Sequence, residues 1–178
     1  MTAPPAGIVL RDATPHDAAR IAEIHVRTWQ VAYRGQLPDE FLDAIVASFA
    51  QRIELRRAAL ERPSSPRERT RVAERAGRIV GFAVLGPCRD DDGRQRGEVY
   101  AIYVEPESWG TGAGRALFFD ASSGLRSFGY REATLWVLAS NLRARRFYER
   151  AGWKHDGATR VEHRGSAQLH EVRYRSRL

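Results

Sequence analysis

The sequence predicts a single mixed α/β domain, and three observations lead to this prediction. Helix-like and strand-like apolar segments follow one another in the order β-α-α-β-β-β-α-β-α-β-β. The chain has 178 residues, enough for one domain with a substantial core. Its sequence shows neither an internal repeat nor a linker to a second domain. We therefore expect a disordered lead-in at residues 1–7 and one domain at residues 8–178.

Local signals define the first strand and the first helix. Residues 8–14 predict a strand. Thr14 and Asp17 then occupy the N-cap and capping-box positions of a helix. The apolar period of this helix continues to Trp29 or Tyr33. This part of the chain is therefore predicted to form a β-α unit.

A second helix and a strand pair are predicted next. Pro38 is a suitable start for the helix, which presents one apolar face. That face contains Phe41, Leu42, Ile45, Val46, Phe49 and Ile53. Residues 69–86 then predict two strands joined by a turn at Ala76–Gly77.

The second half of the chain predicts a βαβ unit followed by a helix and a hairpin. Strands at residues 98–105 and 131–139 flank a helix that runs from about residue 112 to Gly129. Such a unit is almost always right-handed. A short helix at residues 140–152 and a closing hairpin at residues 158–178 complete the fold.

Composition and charge narrow the classes of function. The apolar runs are too short to span a bilayer, and the N-terminal residues lack the layout of a signal peptide. A single cysteine, Cys88, excludes an internal disulfide and fits a reducing cytoplasm. The net charge is +7, but the arginines are dispersed and include no dense basic block. We therefore expect a cytoplasmic protein that binds neither membranes nor nucleic acid and whose positive surface attracts small anionic ligands.

The stretch ESWGTGAGRALF, residues 107–118, predicts a phosphate site. Glycines between a strand and a helix allow close approach to the free amides at the helix start. A dinucleotide fingerprint needs glycines at offsets 0, 2 and 5, but counting from Gly110 or Gly112 leads to Arg115 or Leu117. A mononucleotide P-loop needs Gly-Lys-Ser/Thr, which the chain lacks. Both nucleotide motifs are therefore excluded.

Two spaced motifs resemble those of the GNAT acyltransferases. Gly112 and Gly114 fit the loop pattern Gln/Arg-x-x-Gly-x-Gly/Ala of that family, although Trp109 replaces its Gln/Arg. The pattern Asn-x-x-Ala-x-x-Phe-Tyr-x-x-x-Gly-Phe/Trp is matched by Asn141, Ala144, Phe147, Tyr148, Gly152 and Trp153. The resemblance covers residues 8–178. It implies a central mixed sheet of about seven strands, splayed between strands 4 and 5 and flanked by about four helices.

The resemblance also implies acetyl-CoA as cosubstrate and a set of residues that bind it. The pantetheine arm would lie along strand 4, with a backbone amide near Val104 polarising the thioester carbonyl. Asn141 would contact the arm and could also act as a helix N-cap. Trp109 is expected to pack on the loop or on the adenine side. The expected cofactor-binding residues are Ile102, Tyr103, Val104, Trp109, Gly110, Thr111, Gly112, Ala113, Gly114, Arg115, Asn141, Ala144 and Tyr148.

The catalytic residues implied by the resemblance are Tyr148 and Glu98. Tyr148 would be the general acid that protonates the departing thiolate. Glu98 would be the base, with a water chain as the alternative. Strand alternation predicts that Glu98 shares a face with Tyr100, Ile102 and Val104, whereas Glu105 is expected in the following loop.

The acceptor site is expected at the first two helices, where Trp29 and Tyr33 would form an aromatic wall. The implied reaction is acetyl transfer to the primary amine of a small molecule by direct attack. A peptide or protein acetyltransferase and a non-catalytic acyl-CoA sensor are the alternatives. The resemblance also allows a homodimer. The five histidines show no ligand spacing, so no metal site is expected.

Overall fold

A seven-stranded sheet lies at the centre of the computed structural model, which describes residues 7–93 and 95–178. The strands are β1 (Ile8–Asp12), β2 (Arg69–Arg75), β3 (Arg78–Pro87), β4 (Gly97–Val104), β5 (Glu132–Leu138), β6 (Lys154–Arg164) and β7 (Ala167–Arg177). Their order in the sheet is β1-β2-β3-β4-β5-β7-β6. The β4–β5 pair is parallel, and the other neighbours are antiparallel. The predicted mixed sheet of seven strands is confirmed.

Helices cover both faces of the sheet. They are α1 (Ala18–Tyr33), α2 (Asp39–Ala47), α3 (Phe49–Glu61), α4 (Ala113–Ser127) and α5 (Leu142–Arg150). Buried residues of α4 and α5 pack in one core cluster, whereas α1 and α2 contribute to clusters on the opposite face. No helix among residues 7–93 and 95–178 is long and apolar enough to cross a bilayer.

The predicted second helix is two helices in the structure, α2 and α3. Ser48 interrupts the predicted second helix, because its hydroxyl donates to the carbonyls of Ala44 (2.9 Å) and Ile45 (3.1 Å). A serine side chain that bonds the preceding turn competes with helix continuation. The chain therefore has five α-helices in its described part. Except for Gly7, the lead-in expected at residues 1–7 lies outside the described residues.

The β4–β5 contact is short, as the expected splay requires. The two strands pair at Gly97–Ala133 and Glu98–Thr134. Beyond this point β4 continues to pair with β3, and β5 continues to pair with β7. The facing edges of β4 and β5 therefore separate toward their C-terminal ends and open a cleft through the sheet.

A β-bulge in β4 corrects the predicted alternation. Val84 of β3 pairs with Ala101, but the next residue, Leu85, pairs with Val99. Tyr100 is therefore an extra residue on β4, and an inserted residue reverses the alternation of side chains beyond it. Tyr100 packs in the cluster on the α1 face, together with Ala101. Glu98 and Tyr100 consequently do not share a face with the other two members of the predicted set.

The side chains after the bulge pack on both faces of the sheet. Val99, Ile102 and Val104 pack in the cluster that contains α4 and α5. Tyr103 packs with α1. The C-terminal half of β4 thus presents apolar side chains to the α4–α5 face, where the glycine loop begins.

We expect the α4 face of the core to account for a large part of the stability. Leu125 on α4 is 0% exposed, whereas Leu55 on α3 is 63% exposed. Leu125→Ala should lower the free energy of unfolding by about 2–5 kcal/mol, because it leaves a cavity against the sheet. Leu55→Ala is the matched control and should change it by about 0.5 kcal/mol or less. Urea denaturation measures both; equal losses would contradict the assigned core.

Candidate active site

The cleft between β4 and β5 widens into a cavity of about 1160 Å³. On one face of the sheet it is lined by the glycine loop, α4 and α5. On the other it is lined by α1, by Arg56 of α3 and by the β6–β7 hairpin. A cavity that passes between two strands gives two reactants access to the same point from opposite faces of the sheet.

The cavity brings most of the predicted site residues together. Those in its wall are Trp29, Tyr33, Ile102, Tyr103, Val104, Trp109, Gly110, Gly112, Gly114, Arg115, Asn141, Ala144 and Tyr148. Three others lie outside the wall. The Thr111 hydroxyl donates to the Ser108 carbonyl at 2.8 Å, and Ala113 is buried in the core. The third is Glu98.

The glycine loop leaves the first amides of α4 free. Gly110 and Gly112 have φ values of +80° and +93°, a region that other residues rarely adopt. Gly112 is the N-cap of α4, and the first α-helical hydrogen bond runs from the Ala116 amide to the Gly112 carbonyl. The preceding amides point out of the helix end, where the helix dipole adds positive potential. This geometry suits an anion such as a phosphate.

Glu105 anchors the start of the glycine loop to the rest of the fold. Its side chain is 4% exposed and forms ion pairs with Arg20 of α1 and with Arg78. It also accepts a hydrogen bond from the Ser108 hydroxyl at 3.1 Å. The sequence suggested a simple loop residue, because nothing local identifies its distant partner on α1. The loop is therefore held by a buried charge and not only by its glycines.

Trp109 packs on the loop side of the cavity. Its indole N–H donates to the Val104 carbonyl at 2.7 Å, and the Arg143 guanidinium lies 4.0 Å from its ring centroid. The Val104 carbonyl also accepts from the Thr28 hydroxyl at 3.1 Å. Trp109 thus ties the loop to the end of β4, and it presents a cation-covered aromatic face.

The Val104 amide points into the cleft. The Glu105 amide donates to the Val80 carbonyl on β3 at 2.9 Å. Backbone groups alternate in direction along a strand, so those of Val104 point away from β3. The carbonyl of Val104 is already bonded to Trp109 and Thr28, whereas its N–H faces the gap that β5 has left.

Tyr148 is a buried phenol on α5 that borders the cavity. Its ring packs on Phe118 and Phe147, with centroids 5.3 and 5.4 Å away. Among the described residues its hydroxyl has no hydrogen-bond partner, and its oxygen retains solvent access. Burial, with smaller contributions from Tyr33 and Tyr103, raises the pKa of this phenol. The hydroxyl therefore stays protonated and is free to donate to a ligand.

Asn141 connects α5 to α1. Its side-chain oxygen accepts from the Ala144 amide at 3.0 Å, which confirms the N-cap, and its amide nitrogen donates to the Tyr33 hydroxyl at 2.9 Å. The Trp29 indole donates to the Tyr103 hydroxyl at 3.0 Å. The polar atoms of Trp29, Tyr33 and Tyr103 thus form hydrogen bonds within the protein, and the rings line the cavity.

Glu98 is placed differently from the expectation. Its side chain is 1% exposed, and its carboxylate accepts from the Arg89 backbone amide at 2.9 Å and from the Arg89 guanidinium. The bulge at Tyr100 separates it from the face of Ile102 and Val104. In this geometry Glu98 positions Arg89, whose guanidinium lies 4.2 Å from the Tyr100 ring centroid.

Sequence reasoning missed several cavity residues, among them His25 and Arg56. Arg56 occupies an inward position of α3, at helical spacing from Ile53 and Leu60. An arginine at helical spacing from two apolar residues was the available signal, although Arg52 lies on the same side of the helix. His25 gave no sequence signal, because the Tyr103 ring that it contacts lies on β4 and the charged groups near it lie on α3 and β6.

Comparisons with known proteins agree with this geometry. The family model described as Acetyltransferase (GNAT) family matches residues 19–153. An uncharacterized N-acetyltransferase of Bacillus subtilis is 29% identical over 135 residues, covering 75% of this chain and 73% of that protein. One from Mycobacterium tuberculosis is 32% identical over 147 residues, covering 79% and 85%.

A solved structure agrees in fold. The PaiA N-acetyltransferase of Thermoplasma acidophilum, in complex with coenzyme A, superposes with a TM-score of 0.76 at 18% identity and covers 96% of this chain and 99% of that one. The fold is therefore shared over nearly the whole length. Together with the family match, this shows that the chain belongs to the GNAT family and is an N-acetyltransferase.

Proposed function

We propose that this acetyltransferase transfers the acetyl group of acetyl-CoA to the primary amine of a small molecule by direct attack. The cleft between β4 and β5 carries the proposal, because it connects the glycine loop with Tyr148 and opens on both faces of the sheet. Such a cleft suits a long donor on one face and an acceptor on the other.

The donor side fits coenzyme A. The free amides at the start of α4 suit a pyrophosphate, and Arg115 and Arg143 line the same part of the cavity. The unpaired edge of β4 offers backbone groups to the amides of a pantetheine arm. The coenzyme A bound by the structural relative supports the same donor.

The mechanism follows from the groups along the cleft. Acetyl-CoA supplies an activated thioester carbonyl. The Val104 amide donates to the carbonyl oxygen as it gains negative charge, and backbone donors of this kind lower the barrier substantially. The amine nitrogen forms a bond to the carbonyl carbon, the carbon–sulfur bond breaks, and Tyr148 donates its proton to the departing sulfur. The nitrogen releases a proton to cavity water, and a proton from water restores the Tyr148 phenol.

Tyr148 is suited to this role because its phenol stays protonated. A phenol ordinarily has a pKa of about 10 and a thiol about 8.5, so proton transfer to a thiolate in water would be unfavourable. Burial raises the pKa of the phenol further. It also raises the pKa of a thiolate formed in the same cavity, because an anion is costly there. The neutral phenol therefore stays available as a proton donor.

We assign removal of the amine proton to cavity water and not to Glu98. The Glu98 carboxylate is buried, is bonded to Arg89 and is not part of the cavity wall. Water can enter the cavity and carry a proton to solvent. A general base must come within hydrogen-bond reach of the substrate, directly or through one water.

The acceptor is proposed to be a small molecule that contacts the rings of Trp29 and Tyr33. The acceptor side is walled by α1, Arg56 and the β6–β7 hairpin, which favours a small molecule over a protein side chain. A cytoplasmic location, where acetyl-CoA is available, and a homodimer also belong to the proposal.

Tyr148→Phe tests the acid. Because the hydroxyl has no partner in the described protein, the variant should keep its stability and its KM for acetyl-CoA. We expect kcat to fall about 100-fold or more, the range for loss of a general acid. Thiol release from acetyl-CoA with a panel of amines measures this. Tyr130→Phe, a buried tyrosine outside the cavity wall, is the control and should keep full activity. Full turnover by Tyr148→Phe would remove the proposed role.

Glu98→Gln tests the assignment of the base. Weakening the bonds to Arg89 should cost on the order of 1–2 kcal/mol of stability, a value reduced by the exposure of Arg89. The kcat per folded molecule should change less than about threefold, since no proton passes through this carboxylate. Glu132→Gln, which weakens the ion pair between Glu132 of β5 and Arg175 of β7, is the control. A 100-fold loss of kcat in folded Glu98→Gln would contradict this assignment and indicate that Glu98 is the general base.

A further inference from the structure

The acceptor side of the cavity carries an excess of positive charge. Its wall contains four arginines, Arg56, Arg89, Arg160 and Arg164, and two carboxylates, Glu162 and Glu171. Arg89 pairs with the buried Glu98. Arg160 and Arg164 pair with Glu171 and Glu162. The charges of these three guanidiniums are therefore offset by carboxylates. Arg56 is the remaining arginine of this wall.

Arg56 has no carboxylate within 4.0 Å among residues 7–93 and 95–178. Its guanidinium lies 5.3 Å from the ring centroid of Phe82, and its side chain is half-buried at an inward position of α3. Burial lowers the pKa of Arg56, although the group stays charged. Glu68 offsets part of this effect from beyond ion-pair distance. A half-buried guanidinium without a direct carboxylate partner is stabilised by a ligand that supplies an anion.

The pKa of His25 is a second indication of positive charge on this side of the cavity. Its ring faces Tyr103 edge-on at 4.9 Å, in the wall of the same cavity. Burial, together with the charges of Arg52, Arg56 and Arg164, lowers the pKa of His25 to about 3. The histidine is thus neutral at physiological pH, and of the cationic groups around it only Arg164 has a carboxylate partner within 4.0 Å among the described residues. The region is therefore suited to an anion.

The glycine loop and Arg56 lie on opposite faces of the sheet. The glycine loop and Arg143 lie on the α4–α5 face, where the donor phosphates are proposed to bind. Arg56 lies on the opposite face, with α1 and α3. Arg56 is therefore not required for the pyrophosphate, and its charge is available to the acceptor.

We propose that the acceptor is an amine that also carries a carboxylate or a phosphate, and that Arg56 binds this anionic group. The inference rests on the proposed acetyl transfer to a small amine. A planar guanidinium presents paired N–H donors that match either anion. Anchoring the acidic end at Arg56 leaves the amino end free to reach the thioester between β4 and β5.

A spacer-matched acceptor series tests the proposal. Primary amines with chains of two to six methylenes would end in a methyl, an ammonium, a carboxylate or a phosphate group. Thiol release from acetyl-CoA gives kcat/KM for each. We expect the carboxylate or phosphate members to exceed their methyl counterparts at least 10-fold, with the ammonium members poorest. The carboxylate and phosphate arms decide between the two anions.

Substitution of Arg56 separates anion binding from a general structural effect. Arg56→Gln should lower kcat/KM for the anionic acceptors about 10- to 100-fold, mainly through KM, the range for a lost charge-assisted hydrogen bond. Its kcat/KM for the methyl-terminated amines should stay within about twofold. Arg56→Lys should recover part of the loss. Arg57→Gln, one position along α3 and exposed, is the control.

Three results would overturn the proposal. Equal use of methyl, ammonium and anionic acceptors by the wild-type enzyme is the first. An equal loss for every acceptor in Arg56→Gln is the second. If no amine is turned over, the proposed function fails separately, and thermal stabilisation of the coenzyme A complex by the same amino acids and aminoalkyl phosphates becomes the measurement. Stabilisation of wild type but not of Arg56→Gln would support the anion site, and none in either would be the third overturning result.

Discussion

The separation of β4 from β5 is the constraint on which the rest of the structure depends. Two residue pairs, Gly97–Ala133 and Glu98–Thr134, hold the strands together, after which their facing backbone edges do not pair with one another. Free backbone donors and acceptors inside a protein need other partners. Trp109 and Thr28 supply them for the Val104 carbonyl, and we propose that the Val104 amide binds the donor. The cleft is thus both an interruption of the sheet and a set of directed hydrogen-bonding groups.

The sheet also separates the chemistry of its two faces. The α4–α5 face offers amides at a helix start, which suit a phosphate, and Tyr148, which suits proton donation. The α1–α3 face offers aromatic rings and an unpaired guanidinium. The ion pair between Glu105 and Arg20 connects the two faces, because it links the glycine loop to α1. In the proposed reaction the donor and the acceptor are therefore recognised on different faces of the sheet and meet in the cleft.

The sequence predicted the elements with a strong local signal. The glycine spacing, the N-cap at Asn141 and the order of strands and helices depend on neighbours in the chain. The structure agrees with each, apart from the division of the predicted second helix into α2 and α3. The placement of Glu98 was not predictable in the same way. Its expected face assumed an uninterrupted alternation, and the bulge at Tyr100 forms only against β3. Likewise, the break at Ser48 depends on which hydrogen bond its hydroxyl makes.

The sequence alone thus determined the fold class, which follows from periodicity. Its two spaced motifs, by their resemblance to those of the GNAT acyltransferases, also indicated the family and predicted a phosphate site at the glycine loop. Tertiary structure alone decided which residues meet in the cleft. Arg56, His25, Tyr103 and Arg164 are far apart in the chain, and they line one wall because α1, α3, β4 and β6 pack together. Charge compensation is a property of such neighbours in space. No local pattern could therefore show that the Arg89 and Arg160 guanidiniums are paired and that the Arg56 guanidinium is not.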